Sequence, residues 1–411
     1  MKKVWIINHY GDPPDVGRYR RHAIFAKKLA QRGYDVKMFT ASTIHTTDIN
    51  FINDKTPYLI KNYDGVEYVF IRTNSYKGNG IDRVKNMINY YLRVQKVAKK
   101  FGKCDVIYSS SPHSLTWLAA EHITNRLKVP HIAETRDLWP KTFVAMGKMK
   151  ENSIPARILY KIEKHIYKNA DRLIFTMPGG KDYVKSLGGI DLNKVKYINN
   201  GIDIEEFNKN IKENKFSDED LEREDIFKVV FTGSIGKSNN LKRVIDSFKI
   251  IQDKGYKDIK LLVYGDGADR EPLIEYAKEN NIENVVFKGR VEKKYVPYIL
   301  SKADLQLLSV IHCPELYQYG MSPNKLFEYF AAGKPTISNV ECNYDLLEKY
   351  NSGKTIDELT NEKFADGIIE FYNLPKEDYN RYCENALKAS KDFDFDLLTD
   401  KLEETINEVL S

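Results

Sequence analysis

Apolar and polar positions follow two rhythms along this chain. Short apolar runs, rich in β-branched and aromatic residues, fall at residues 4–8, 35–40, 66–73, 106–110, 132–134 and 173–175. Each has the length and composition of a strand. Between them lie stretches with helical period. Residues 19–32 form one, which Gly33 closes as a C′ glycine, and residues 83–101 form a long, basic, amphipathic one. Alternating strands and helices predict a parallel, doubly wound sheet. Residues 208–226 are polar and charged and read as a linker. The rhythm then restarts at 228–232, 241–251, 259–265, 271–280 and 284–288, which predicts a second βα domain. A final amphipathic helix is expected over 397–410.

A chain of 411 residues suits two domains, and 42% hydrophobic residues suffice for two cores. No run approaches the length of a membrane span. The start, Met1-Lys2-Lys3-Val4, leads directly into a short apolar strand, too brief for a signal peptide. Cys104, Cys313, Cys342 and Cys383 are scattered without metal or disulfide spacing, so reduced thiols in cytoplasm are expected. The net charge of +6 hides an asymmetry. Residues 1–200 hold 35 basic and 17 acidic side chains, a balance of +18; the remainder holds 29 and 41, a balance of −12. The first half is therefore expected to meet something anionic, such as a membrane surface. No nucleic-acid motif is present.

The richest local chemistry lies at Ser322-Pro323-Asn324-Lys325, leading into Leu326-Phe327-Glu328 and closed by Gly333-Lys334-Pro335. It reads as a loop opening a helix, with Ser322 as N-cap and Pro323 in the first turn. Free N–H groups and the positive end of the helix dipole make an anion site there. Lys325 adds a cation, and Glu328 falls one turn further along the same face. Together they could grip a diphosphate and the hydroxyls of a ribose. Residues 231–238 contain Gly236-Lys237-Ser238, but an ATP-binding P-loop needs a glycine separated from that pair by four residues, and Phe231 stands there. A strand ending in this Gly-rich turn still suits phosphate approach through backbone N–H groups. Tyr264-Gly265-Asp266-Gly267 lacks the third glycine of a dinucleotide fingerprint and reads foremost as a tight turn. Asp392, Asp394 and Asp396 look like an acidic metal repeat, but Asp396 as an N-cap above Phe393 and Phe395 explains them without metal.

The segment from Ser322 to Pro335 resembles the donor signature of retaining glycosyltransferases of family 4, which have the GT-B fold. The resemblance runs along most of the chain. Asn8-His9-Tyr10 with Gly17 and Arg18 is similar to that family's first strand-to-helix loop. Residues 76–80, Ser110-Ser111-Pro112-His113 and Arg136-Asp137-Leu138-Trp139-Pro140 are similar to a branch that builds capsule and O-antigen repeats and includes N-acetylfucosamine-type transferases. Asn200-Gly201-Ile202-Asp203 resembles the exit into the second domain.

The resemblance implies an α/β protein with two Rossmann-like domains facing a cleft: an acceptor domain over 1–205, a donor domain over 206–390, and a terminal helix, 391–411, returning to the first. It implies transfer of a sugar, with retention and without metal, from a nucleotide donor, foremost UDP-linked, to a polyprenyl-pyrophosphate-linked saccharide. The protein would sit peripherally on the cytoplasmic membrane face. No cofactor beyond the donor is implied. On the donor side it points to Gly233, Ser234, Gly236, Lys237, Gly265, Arg290, Ser322, Pro323, Asn324, Lys325 and Glu328. On the acceptor side it points to Gly17, Arg18 and Arg20, and for catalysis to Asp137, Arg136 and His113.

Three departures stand out. Ser234 and Asn239 fall where the family carries a diphosphate-binding Arg and Lys, leaving Lys237 and Lys325 as the replacement cations. Gly320 falls where the family has the first of two glutamates; Glu315 is the nearest upstream acid. Arg136 falls where many relatives have His. Because the donor phosphate itself can take the acceptor proton in front-side transfer, a dedicated base is not required, and Asp137 could act by orienting and stabilising charge. An epimerase or phosphorylase of the same fold, or a non-catalytic sugar-nucleotide-binding protein, is the alternative reading.

Overall fold

The computed structural model describes residues 1–16, 20–45, 47–356 and 360–411. It divides into two compact units: Met1–Asn199 with Phe395–Ser411, and Asn200–Asp394.

The first unit opens with β1 (Lys3–Ile7), α1 (Arg21–Gln31), β2 (Asp35–Ala41), β3 (Tyr58–Tyr63) and β4 (Val66–Ile71). It continues through α2 (Ile81–Ala98), β5 (Val106–Ser110), α3 (Ser114–Leu127) and β6 (His131–Thr135). Then follow α4 (Lys141–Ala145), α5 (Ile154–Asn169), β7 (Arg172–Phe175), α6 (Gly180–Leu187) and β8 (Val195–Tyr197). The sheet order is β3-β4-β2-β1-β5-β6-β7-β8, parallel except for β3 against β4. Strands β1, β5, β6 and β7 read as apolar runs because the sheet is covered on both faces. On one face, Trp5, Ile7, Phe39 and Ile107 meet Tyr90, Val94 and Val97 of α2 and Ala119 and Ile123 of α3.

The second unit begins with α7 (Ile204–Glu213), α8 (Glu219–Glu222), β9 (Phe227–Thr232), α9 (Leu241–Asp253) and β10 (Ile259–Tyr264). It continues with α10 (Arg270–Glu279), β11 (Val285–Gly289), α11 (Val296–Ser301), β12 (Leu305–Leu308) and α12 (Pro314–Tyr317). It ends with α13 (Asn324–Ala332), β13 (Thr336–Ser338), α14 (Leu346–Tyr350), β14 (Gly353–Thr355), α15 (Asn361–Tyr372) and α16 (Lys376–Asp392). Its sheet is parallel throughout, in the order β11-β10-β9-β12-β13-β14.

Helix α17 (Phe395–Leu410) belongs to the first unit. Phe395, Leu398, Leu402 and Ile406 are buried with Val4, Phe25, Tyr108 and Ile132 on the other face of that sheet. Each such fully buried side chain contributes about 1.5–3 kcal/mol, so four of them hold the helix firmly. Lys28 Nζ meets Asp396 Oδ1 at 2.7 Å and Arg32 meets Asp400 at 2.6 Å along its edge.

Several local expectations are corrected. Residues 208–226 are not an open linker: α7 and α8 bury Phe207 and Leu221 in the second core, and Lys288 Nζ bridges Asp218 and Asp220 at 2.7 Å each. Sparse apolar residues on amphipathic turns had hidden this packing. The long basic helix starts at Ile81 rather than Arg83, because Gly80 is extended and caps it. Asp396 lies inside the first turn of α17 and pairs with Lys28 instead of capping. Among the described residues no group of three or more His, Cys, Asp or Glu converges as a metal site, and no helix is long and apolar enough to cross a membrane.

Candidate functional site

In open parallel sheets, ligands collect at the carboxyl ends of strands where the winding reverses. In the first unit that point lies between β1 and β5. A pocket of about 160 Å³ opens there, lined by Tyr10, His45, Arg83, Ser111, Pro112, Arg136, Asp137 and Trp139. Five separate segments contribute: those after β1, β2, β5 and β6, and the first turn of α2.

Asp137 is exposed at the pocket. Its neighbour Arg136 is fixed through the backbone: its N–H donates to Ser111 Oγ at 3.0 Å, and its carbonyl accepts from Thr176 Oγ1 at 3.2 Å. Arg83 Nε donates to the Tyr10 hydroxyl at 3.0 Å, with its guanidinium 5.5 Å from the Tyr10 ring centre.

Behind this wall stands a histidine pair. His9 Nδ1 lies 2.5 Å from His113 Nε2, and His9 Nε2 lies 2.6 Å from Asn86 Oδ1. The Asn86 amide nitrogen donates to Thr43 Oγ1 at 3.0 Å and Asn74 O at 2.5 Å. Its Oδ1 is therefore an acceptor, and His9 must carry its proton on Nε2. His9 Nδ1 then accepts from His113 Nε2–H. The remaining His113 nitrogen, Nδ1, is buried without a hydrogen-bond partner among the described residues and holds a lone pair. Burial pushes His9 down to about 3, against the Asn86 hydrogen bond; burial, His9 and Arg83 hold His113 well below the ordinary range. His113 is 3% exposed and is not among the pocket-lining side chains.

Deeper still, Glu134 collects four donors. Arg21 Nε reaches it at 2.9 Å, His22 Nε2 at 2.8 Å, Ser110 Oγ at 2.8 Å, and the Tyr108 hydroxyl also donates to it. Asn8 Nδ2 donates to His22 Nδ1 at 2.9 Å, since Asn8 Oδ1 already accepts from Tyr10 N–H. His22 therefore directs its Nε2 proton to Glu134. Burial raises the Glu134 carboxyl, but Arg21 and His22 outweigh it and hold it well below the usual carboxylate range. Arg21 also donates to the carbonyls of Ile198, at 2.8 Å, and Asn199. Sequence reasoning missed Arg21, His22, Asn86 and Glu134. A carboxylate within an otherwise short apolar strand, β6, was the available signal.

Of the acceptor-side residues, Gly17 and Arg18 lie outside the described residues. Arg20 is partly buried at the start of α1, with Nη2 3.4 Å from Pro14 O.

In the second unit the winding reverses between β9 and β12. Lys325, in the first turn of α13, points there. Its Nζ lies 3.0 Å from Asn239 Oδ1 and 4.2 Å from the Phe231 ring centre. A Cβ on Gly233 would stand 3.2 Å from that Nζ. This enclosure pushes the Lys325 ammonium down to about 7, with Glu328 opposing and Lys293 adding to the fall. Asn239 is itself fixed: its Nδ2 donates to Ser234 O at 2.9 Å, and its carbonyl accepts from Ser309 Oγ at 2.6 Å. Glu328 is largely buried and pairs with the exposed Lys293, a partner the sequence did not single out.

The glycine-rich turns pack on each other. A Cβ on Gly265 would sit 1.8 Å from Gly233 O, so Gly265 serves close backbone approach. Gly236 is partly exposed; Ser234, Lys237, Arg290 and Asn324 are exposed. Lys325 is thus the cation brought to the turn, while Lys237 and Arg290 stay in solvent. Ser322 is not the N-cap; Pro323 is, without a side-chain cap, and α13 starts at Asn324. Ser322 instead anchors Asn200: its Oγ accepts from the Asn200 N–H at 3.1 Å and its carbonyl from Asn200 Nδ2 at 2.7 Å. Gly320 has φ +81°, a backbone that disfavours the family's glutamate there.

Comparisons with known proteins agree with this architecture. Residues 23–206 match the family model Glycosyltransferase Family 4, and residues 212–389 match Glycosyl transferases group 1. The chain thus carries domains of those two glycosyltransferase families, and its fold is GT-B. It is 21% identical to a probable glycosyltransferase, WbjE, of Pseudomonas aeruginosa, over 60% of each chain. It is 27% identical to the protein CapJ of Staphylococcus aureus, over 71% of this chain and 70% of that one. Among solved structures, the Anabaena protein HepE in complex with UDP superimposes with a TM-score of 0.69 at 15% identity, covering 99% of this chain and 100% of that one.

Proposed function

We propose that this chain is a retaining glycosyltransferase that takes a sugar from a UDP-linked donor in its second unit. The observation that carries the reading is Lys325, held at the start of α13 by Asn239 and enclosed over Gly233 at the sheet's switch point. A helix start, a Gly-rich turn and one enclosed ammonium suit a diphosphate. Glu328, one turn on, suits ribose hydroxyls, with Lys293 holding its carboxylate in place. The UDP in the HepE structure supports the choice of nucleotide.

The first-unit pocket receives the acceptor. Arg83 and Arg136 suit the pyrophosphate of a polyprenyl-linked saccharide, and Trp139 offers a face for a sugar ring. Asp137 orients the acceptor hydroxyl and stabilises charge developing at the reacting carbon, while the donor phosphate takes the proton, so no metal and no separate base are needed. His113 acts from behind as a positioning residue. We extend the reading to capsule or O-antigen synthesis at the cytoplasmic membrane face; the similarity to a probable glycosyltransferase, WbjE, supports the sugar-transfer part of it.

The test is nucleotide release by the purified protein across a panel of nucleotide sugars, with calorimetry of UDP against uridine. Donor-specific release and tighter binding of UDP are expected. Equal affinity for UDP and uridine, with no release from any donor, overturns the reading.

A further inference from the structure

Helix α2 turns an aliphatic face outward. Ile81 is 75% exposed, Val84 51%, Ile88 43% and Leu92 50%. Their spacing of three, four and four residues puts them on one stripe. The opposite face, with Met87, Tyr90, Val94 and Val97, is buried against the sheet. Four large aliphatics in a row toward solvent are not the scattered apolar residues of an ordinary surface. Lys85 and Lys96 flank the stripe, and Lys99 and Lys100 extend it at the helix end; all four are exposed. From Ile81 to Phe101 there are six basic residues and a single acidic one, Asp82.

A second patch lies on the same layer. Helix α3 packs against both α2 and α5. At the start of α5, Ile154 is 75% exposed and Ile158 52%, with Arg157 and Lys161 exposed beside them. Both patches include the helix N-termini, which in a parallel βα layer lie at the end where the strands finish and the pocket opens. Arg83, between Ile81 and Val84, bonds Tyr10 at that pocket.

We propose that the outward stripe of α2, with Ile154 and Ile158 of α5, is a membrane-docking face that inserts aliphatic side chains into an anionic leaflet and sets the pocket mouth at its surface. The proposal rests on the lipid-linked acceptor reading above and names the surface that serves it. Basic residues meet anionic headgroups while the aliphatics enter the acyl boundary. Charge decides against a second copy as the occupant. Pairing α2 with its own copy would oppose lysine-rich faces, with only Asp82 to offset them. Attachment therefore differs from the purely electrostatic kind that charge counting implies: it survives salt in part.

Flotation with vesicles of phosphatidylglycerol and phosphatidylcholine, against phosphatidylcholine alone, tests this. Preferential binding to anionic vesicles is expected, weakened but not abolished in about 1 M salt, where the Debye length is about 3 Å. The double variant Ile88→Ser with Leu92→Ser should lose about tenfold in partition for each side chain removed. A Leu92→Trp variant should show blue-shifted emission, quenched by brominated lipid. Unchanged partition of the double variant, or an unshifted Trp spectrum on bound vesicles, overturns the proposal. So does a wild-type dimer in sedimentation that the double variant dissolves. Calorimetry with UDP separates the two readings: UDP binding without vesicle insertion removes the docking face alone, while loss of UDP binding removes the transferase reading itself.

Discussion

Lys325 Nζ sits 3.0 Å from Asn239 Oδ1, and this neutral partner, not a carboxylate, receives its hydrogen bond. An amide neutralises no charge, and the enclosed ammonium therefore releases its proton at about 7 instead of near 10.5. Bound diphosphate would favour the charged form. UDP affinity should accordingly fall as pH rises through about 7. UDP itself adds no charge across pH 7 to 8.5, because a phosphate's second ionisation lies near 6. The dissociation constant should rise about tenfold over that range, toward the limit of tenfold per unit when only the protonated lysine binds. Lys325→Ala should bind UDP weakly with a flat profile and leave uridine binding nearly unchanged. Calorimetry across the range checks both; a flat wild-type profile refutes the placement of phosphate at Lys325.

Glu328 carries the ribose assignment, and Lys293 holds its carboxylate. Glu328→Ala should raise the UDP dissociation constant roughly tenfold to a hundredfold, since a charge-assisted hydrogen bond is worth about 1.5–3 kcal/mol. Lys293→Ala should do less, because the exposed lysine only positions the acid. If 2′,3′-dideoxy-UDP binds as tightly as UDP to the wild type, Glu328 does not meet the ribose.

The fold was legible wherever local pattern determines it. Strands β1, β5, β9 and β10 announce themselves as apolar runs, and Gly33 and Gly333 end their helices in left-handed geometry. Helix α13 was legible to within one residue. What stayed hidden depends on long-range partners. Asn200 explains Ser322, yet 122 residues separate them. Glu134 gathers Arg21 and His22 from 113 and 112 residues away, and no spacing rule connects such positions. The linker reading failed for a related reason: a few well-placed apolar residues, Leu221 buried and Ile211 and Phe216 packed against the same core, hold a segment that composition alone paints as solvent-facing.

Asp137 should separate catalysis from binding. Its side chain is exposed at a pocket whose other ionisable lining groups are Arg83, Arg136, His45 and Tyr10. Asp137→Asn keeps shape and removes charge. Turnover should drop at least a hundredfold while UDP affinity stays within about twofold, because charge stabilisation confined to the transition state leaves ground-state binding unaffected. Thermal unfolding should be unchanged. A matched loss of melting temperature and activity would make Asp137 a structural residue.

Four buried histidines set the acid limit of the first unit. His9, His22, His113 and His131 are each enclosed, and burial is the leading cause that lowers each below 6.5. His9 falls to about 3 and His131 to about 4. The unfolded chain binds these protons below about 6.5, whereas the folded chain does not until far lower. The histidines' contribution to stability is therefore full above pH 6.5 and is lost as pH falls toward 4, by up to about 1.4 kcal/mol per pH unit for each histidine. Glu134 adds to the loss only further down, below about 4.5, where the unfolded carboxyl protonates and the folded one, held by Arg21, does not. Glu163 works the other way: burial raises its carboxyl to about 8 against bonds from Tyr183 and Tyr167, so the folded chain binds its proton below about 8 and the unfolded chain only below about 4.5, which offsets about one histidine over that range. With four histidines against one carboxyl, the melting temperature should still drop between pH 7 and 5. His131 is the probe of choice because it lies in β6, away from the pocket wall, with Ser109 Oγ 2.7 Å from its Nε2. His131→Gln retains a hydrogen-bonding group and removes one titration. Its melting temperature should fall less steeply between pH 7 and 5 than that of the wild type. Parallel curves for the two proteins would show that His131 takes its proton in the folded state and that burial does not keep it neutral.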